Sequence, residues 1–410
     1  MKIILLCAIY LPEPFVTAQT HLSMAKKFSS IGHQVKVVTS FPSHPGGKIY
    51  PGYKNRLFSK ETPKNGFEVI RCFTAPSSKS SFLSRFTENI IFGISSTIYI
   101  LFMPRVDMIH SDTWPVFATG LMSLMARIRR IPYIVRVVDL YPESIVSQDR
   151  LDNNHLAIKL MRKLDGWIAR GADHVIVLTN SFAKVYQNDR KIPPEKISVI
   201  PDWVEDDLDC VDIDEAKEIR RQFEIGNEDF LAAYGGNIGV GAGVDTLIKA
   251  CGLTDDVRVL IAGGGSELAN CQEQARRIAP DKINFYSPWP LEKTRAFYQS
   301  ANVLVLPTHG AQSVASIPSK MIRYMLSGRP IIAAALPDTE LANLIDKSGC
   351  GWIIPPDNPA RLAQALIEAK RVGTTELDQR GQAGREYALQ NLTSEANLRK
   401  ILKIIEMNSV

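Results

Sequence analysis

The residues best suited to chemistry form two clusters in the second half of the chain. The first is Tyr234-Gly235-Gly236-Asn237-Ile238-Gly239-Val240-Gly241-Ala242-Gly243, which follows an apolar run and opens a helical pattern. Glycines let a backbone approach a phosphate, and a helix amino terminus offers free N–H groups and partial positive charge. A dinucleotide fingerprint would need G-x-G-x-x-G on a first strand. Here Gly239, Gly241 and Gly243 are evenly spaced and lie mid-chain, so a phosphate-facing loop is supported and NAD is not. A tight strand-to-helix turn without a ligand is the alternative this spacing leaves open. The second cluster is Ser313-Val314-Ala315-Ser316-Ile317-Pro318-Ser319-Lys320. Pro318 and Ser319 suit a helix start, Gly328 its end, and Pro330 stops it. An anion at that start would have Lys320 beside it.

In the first half, Asp112 and Asp139 each lie at the carboxyl end of an expected strand, where open α/β sheets place ligands. For Asp139 the competing reading is a cap on a helix beginning at Pro142.

These residues need a scaffold, and strands alternating with helical stretches supply one. Strands are expected at 2–9, 34–39, 67–73, 107–110, 133–139 and 174–178, then again at 230–234, 257–262, 283–286, 303–306, 331–334 and 351–354. Helical patterns include 20–31, 157–171, 359–372 and 376–406. The α/β layout thus occurs once in each half, and the Pro-containing, acidic stretch Asn188 to Glu215 is the best linker. The expected fold class is α/β, with two Rossmann-like domains whose parallel sheets face each other across a cleft. Residues 1–204 would form one domain and 205–382 the other, with 383–410 a terminal helix packing back on the first.

At 410 residues the chain is long enough for about two domains. Six scattered cysteines form no CxxC pair and no cluster with histidine, which argues against a disulfide framework or zinc site and fits a reducing cytosol. The start, Met1 to Tyr10 followed by Leu11-Pro12-Glu13-Pro14, reads as a buried strand rather than a signal peptide. Charge is unevenly distributed. Residues 1–200 hold 26 Lys and Arg against 14 Asp and Glu, and residues 201–410 hold 22 against 29. A basic half favours anionic partners. No nucleic-acid motif is present, so an anionic membrane surface is the better partner and a merely solvated basic face the alternative. Asn89 to Met103 is nearly all apolar but shorter than the ~20 residues a spanning helix needs. It reads as a core helix or as an interfacial segment.

Taken in order, these pieces resemble a family-4 retaining glycosyltransferase of the GT-B fold over nearly the whole chain. They are Gly32 to Thr39, Asp107-Met108-Ile109-His110, Asp139-Leu140-Tyr141-Pro142-Glu143-Ser144, Ala172 to Leu178, Val199-Ile200-Pro201-Asp202-Trp203-Val204, Gly235 to Gly239, and Ile317-Pro318-Ser319-Lys320 through Gly328-Arg329-Pro330. The stretch from Asp139 to Ser144 is similar to that of the subgroup extending surface polysaccharides. The resemblance implies a nucleotide-sugar donor, with UDP expected, bound in the carboxy-terminal domain by Gly236, Asn237, Gly239, Gly241, Gly243, Gly264, Pro318, Ser319, Lys320 and Arg323. It implies an acceptor, a polyprenyl-linked saccharide, bound in the amino-terminal domain near Thr17, His110, Asp112 and Glu143. Asp112, Asp139 and Lys320 are the catalytic candidates. No cofactor or metal is implied, and the enzyme would sit peripherally on the cytoplasmic membrane's inner face. Some slots depart from the family pattern. Two usual glutamates are Ala315 and Arg323, the loop after the glycine-rich turn lacks its basic pair, and Phe15-Val16-Thr17-Ala18 replaces a glycine pair. The diphosphate would therefore lean on Lys320, Arg323 and backbone N–H groups. A non-hydrolysing UDP-sugar 2-epimerase and a catalytically degenerate GT-B partner subunit are the alternative readings.

Overall fold

The computed structural model describes residues 1–44, 46–62, 66–76, 82–143, 155–203, 213–310 and 318–409. Ser144, the acidic run 205–207, Cys210, and the segment 313–317 with Ala315 lie outside the described residues. The chain divides into two compact units, Met1–Asp202 with Asn397–Val410, and Trp203–Ala396.

The first unit runs β1 (Lys2–Leu6), α1 (Val16–Ser30), β2 (Gln34–Ser40), β3 (Phe58–Glu61), β4 (Glu68–Cys72), α2 (Phe82–Phe102), β5 (Met108–Asp112), α3 (Val116–Arg129), β6 (Tyr133–Val137), α4 (Leu156–Gly171), β7 (His174–Val177), α5 (Asn180–Asn188) and β8 (Ile197–Val199). Its sheet has the order β3-β4-β2-β1-β5-β6-β7-β8 and is parallel except where β3 runs against β4. β5 and β6 are buried along their full length, as strands covered on both faces must be. Right-handed crossovers put α1 on one face of this sheet and α2 to α5 on the other. Val38, Ile109, Val135, Val175 and Met122 belong to the core between sheet and helices.

The second unit contains α6 (Ile213–Gln222), β9 (Phe230–Gly235), α7 (Val244–Gly252), β10 (Val257–Ala262), α8 (Leu268–Ile278), β11 (Ile283–Tyr286), α9 (Thr294–Ser300), β12 (Val303–Leu306), α10 (Ser319–Leu326), β13 (Ile331–Ala334), α11 (Glu340–Ser348), β14 (Gly351–Ile354), α12 (Pro359–Arg371) and α13 (Gly373–Asn391). All its strand pairs are parallel, in the order β11-β10-β9-β12-β13-β14. The helical pattern at 376–406 breaks in two. The Thr393 hydroxyl accepts from the Ala396 N–H at 3.3 Å and starts α14 (Ser394–Asn408) as a separate helix. From Asn397 onward that helix belongs to the first unit.

Each sheet reverses its winding once, between β1 and β5 in the first unit and between β9 and β12 in the second. The carboxyl edge at such a switch point is where open α/β sheets leave a crevice for a ligand. Asp112 ends β5, and Gly236 follows β9 directly.

Candidate functional site

At the second unit's switch point, α10 opens with Ser319 and Lys320, and Lys320 is turned toward the strand end. Its ammonium donates to the Tyr234 hydroxyl at 2.5 Å and lies 4.0 Å from that ring's centroid. The Tyr234 hydroxyl in turn donates to the Asn237 carbonyl at 2.6 Å, so one tyrosine joins the lysine to the glycine-rich turn. Gly236 has φ +148°, and a Cβ there would lie 2.4 Å from Lys320 Cε. Only glycine leaves this lane open. Four residues along α10 from Lys320, the Tyr324 hydroxyl accepts from Gly235 N–H at 2.9 Å and pins helix to strand. Among the described residues no carboxylate pairs with Lys320. Burial pushes its ammonium down to about 8, because the charged form loses water and gains only a phenol in exchange.

The glycine-rich turn is braced from two sides. Ile238 N–H donates to the Gly264 carbonyl at 2.8 Å, tying it to the loop after β10. Gly243 is left-handed with φ +68°, and a Cβ there would meet the Pro307 carbonyl at 1.8 Å. His309, just beyond Pro307, donates its N–H to the Gly241 carbonyl at 3.3 Å. Its ring bridges Asp357 and Asp245, with Nε2 3.4 Å from the latter. Asp245 sits in the first turn of α7 and pairs with Lys249 at 2.8 Å.

The first unit's switch point is built differently. Asp112 is buried, with Oδ2 3.5 Å from His21 Nε2 and Oδ1 3.9 Å from an Arg136 nitrogen. Burial raises the Asp112 carboxyl above its ordinary range, while His21 and Arg136 pull it back down. His21 Nδ1 lies 2.7 Å from the Thr17 carbonyl, so this nitrogen is the donor and Nε2 faces the carboxylate. Arg136 is fully buried and also pairs with Asp202.

Two family profiles match the chain in sequence order. The 4-like glycosyl transferase domain covers residues 17–203, and the glycosyl transferases group 1 domain covers residues 231–370. The chain is a family-4 glycosyltransferase of the GT-B fold. It is 23% identical to the probable glycosyltransferase WbjE of Pseudomonas aeruginosa over 80% of this chain and 82% of that protein. It is 21% identical to the putative colanic acid biosynthesis glycosyl transferase WcaI of Escherichia coli over 99% of this chain and all (100%) of that one. Among solved structures, Anabaena HepE in complex with UDP superposes with a TM-score of 0.70 at 14% identity, covering 99% of this chain and 100% of its own.

In this glycosyltransferase the sequence candidates separate into two groups. The structure brings Lys320, Gly236 and Asn237 together, with Pro318 as the N-cap of α10 and Gly239, Gly241, Gly243 and Gly264 in the loops beside them. Arg323 is exposed, one turn along α10 from Lys320. In the first unit Thr17 reaches Asp112 only through His21. His110 is enclosed in β5, its pKa pushed well below the usual range by burial, and neither ring nitrogen has a hydrogen-bond partner among the described residues. A neutral, enclosed imidazole cannot touch an acceptor directly. Asp139 is exposed two residues past the end of β6. Glu143 accepts from Arg190 at 2.8 Å and from Arg162 at 2.9 Å, and Arg190 also pairs with Asp165 at 2.8 Å. That network crosslinks α4 to the segment after α5, which occupies the carboxylate structurally.

Sequence reasoning gave no role to Tyr234, His21, Arg136, Asp202 or His309. Two of these carried a usable signal. Tyr234 immediately precedes the glycine pair, and His21 lies four residues after Thr17 on one helix face. Nothing in the local pattern of Arg136 or Asp202 announces their pairing.

Proposed function

We propose that this glycosyltransferase retains anomeric configuration and moves a sugar from a UDP-sugar to a lipid-linked saccharide in surface-polysaccharide synthesis, at the inner face of the cytoplasmic membrane. The observation that carries the donor half is Lys320, a cation with no carboxylate partner among the described residues, lodged beside the glycine-rich turn. A diphosphate is the partner such a cation lacks. In the transfer, the acceptor oxygen bonds to the anomeric carbon as its bond to the diphosphate breaks. The acceptor's proton passes to the departing phosphate oxygen on the same face. This route needs oriented positive charge at the leaving group more than a strong base. It accords with Asp112, which is buried with one carboxylate oxygen 3.9 Å from the Arg136 guanidinium. HepE is described in complex with UDP-glucose, which favours UDP as the donor's nucleotide. The name of WcaI ties it to colanic acid biosynthesis, which favours a surface saccharide.

The test is incubation with a panel of UDP-, GDP- and ADP-sugars and a lipid-linked saccharide, read as free nucleotide and as product anomer by NMR. UDP release with a retained anomer, persisting in EDTA, is expected. A C2-epimerised nucleotide sugar would instead identify an epimerase. Binding without turnover across the panel would identify a partner subunit.

A further inference from the structure

Helices α2, α3 and α4 lie side by side on one face of the first sheet. Together they contain two acidic residues, Glu88 and Asp165, and both are buried. Their outward sides are aliphatic and basic. α2 presents Ile94, Ile98, Leu101 and Phe102, the last 81% exposed, at the spacing of one helical stripe. α3 presents Leu124 and Ile128, and α4 presents Leu156 and Leu160. Lys159 and Lys163 interleave with the leucines of α4, while Arg105 and Arg130 follow the ends of α2 and α3. Beside α4 a surface depression of about 460 Å³ adds Lys163 and Arg170, next to the Arg162 and Arg190 that Glu143 and Asp165 already pair.

We infer that this three-helix face docks the protein on an anionic lipid bilayer, with the aliphatic stripe entering the interface and the cations meeting the phosphates. The charge argument selects the occupant. A second copy would bring the same basic face against itself, and an excess of like charge opposes that pairing. A neutral apolar partner would leave Lys159 and Lys163 desolvated without counter-charge. An anionic leaflet satisfies both components, because apolar side chains enter the acyl boundary while each nearby cation adds attraction. Among the described residues no helix is long and apolar enough to cross a membrane, so the contact is peripheral. The face is a flank of the sheet rather than its carboxyl edge, which leaves the Asp112 end free to take an acceptor. This surface deepens the proposed function, since a lipid-linked acceptor places its enzyme at a bilayer, and it rests on that reading for its purpose alone.

The experiment is co-sedimentation of the full chain with vesicles of phosphatidylcholine alone, or with phosphatidylglycerol as about a third of the lipid. Binding to the anionic vesicles should exceed neutral binding at least ~10-fold and fall as salt rises. Lys159→Glu with Lys163→Glu should abolish the anionic preference, since each cation contributes about fivefold in partition. Ile98→Ser with Phe102→Ser should lower binding at high salt by about tenfold or more. All variants should turn over donor on a short water-soluble acceptor within about twofold of wild type, because none touches the donor lane. Equal binding to neutral and anionic vesicles, or variants that bind like wild type, would overturn the assignment. So would lipid-free dimerisation that the same substitutions dissolve, which would give the face to a second copy. A chain that binds vesicles as described but turns over no donor would leave the docking surface standing and remove the proposed function.

Discussion

The two switch points share a topology and differ in how their charge is completed. In the first unit, Asp112 is met by His21 and Arg136, and Arg136 reaches a second carboxylate, Asp202. In the second unit, Lys320 meets the hydroxyl and face of Tyr234, and no carboxylate pairs with it among the described residues. One cluster sets opposite charges of the chain itself near one another, and the other holds a desolvated cation with no carboxylate beside it among the described residues. A buried charge that its own chain has paired stabilises a fold. One that its chain leaves half-satisfied is better suited to recognition, because the missing partner then arrives with the substrate.

The sharpest way to break this contrast is to unpair the first cluster. Arg136→Ala strands Asp112 and Asp202 without their cation, and truncating one partner of a buried ion pair costs about 3–5 kcal/mol. A large fall in the urea midpoint of the first unit's transition is expected. Loss of activity with an unchanged midpoint would show that Arg136 serves the substrate instead. Lys320→Ala should do the reverse. It removes a charge-assisted contact of about 1.5–3 kcal/mol to the donor, hence ~10- to 100-fold in kcat/KM, with little change in Tm. Activity within about twofold of wild type would refute the donor assignment.

The smallest expected effect is in pH, and its sign follows from the direction of the Lys320 shift. The ammonium is charged below about 8 and loses its proton as pH rises through that value, earlier than an exposed lysine would. Donor KM should therefore be flat between pH 6 and 7.5 and rise by about tenfold toward pH 9. Lys320→Arg, whose charge persists, should flatten the rise. A KM that stays level to pH 9 in the wild-type protein would remove Lys320 from the donor contact.

The parallel strands of both sheets were legible from apolar runs bounded by turn residues, because a strand covered on both faces must be hydrophobic throughout. The strands that escaped were β3 and β8. Phe58-Ser59-Lys60-Glu61 is a half-exposed edge with little apolar signal, and Ile197-Ser198-Val199 is only three residues long. The break between α13 and α14 was hidden because Thr393 caps within a helical pattern. The lane at Lys320 and Gly236 was legible because its parts are local. Glycines at a strand end and a lysine at a helix start each announce themselves through backbone requirements. Glu143 was misleading for the opposite reason. Its neighbours in sequence say nothing of Arg190, to which it is bonded across 47 residues.

Sequence alone therefore determined the alternation of strands and helices, the glycine turn, the helix that begins at Ser319, and a basic first half joined to an acidic second half. These follow from backbone conformation and composition, which neighbouring residues set among themselves. Only the tertiary structure decided which charges are completed. Tyr234 and Lys320 meet across 86 residues, and Arg136 and Asp202 across 66. Whether a lysine is a solvated surface charge or a desolvated cation depends on burial and on which groups stand within its reach. Both are properties of the space around it, which comes into being only when distant segments pack.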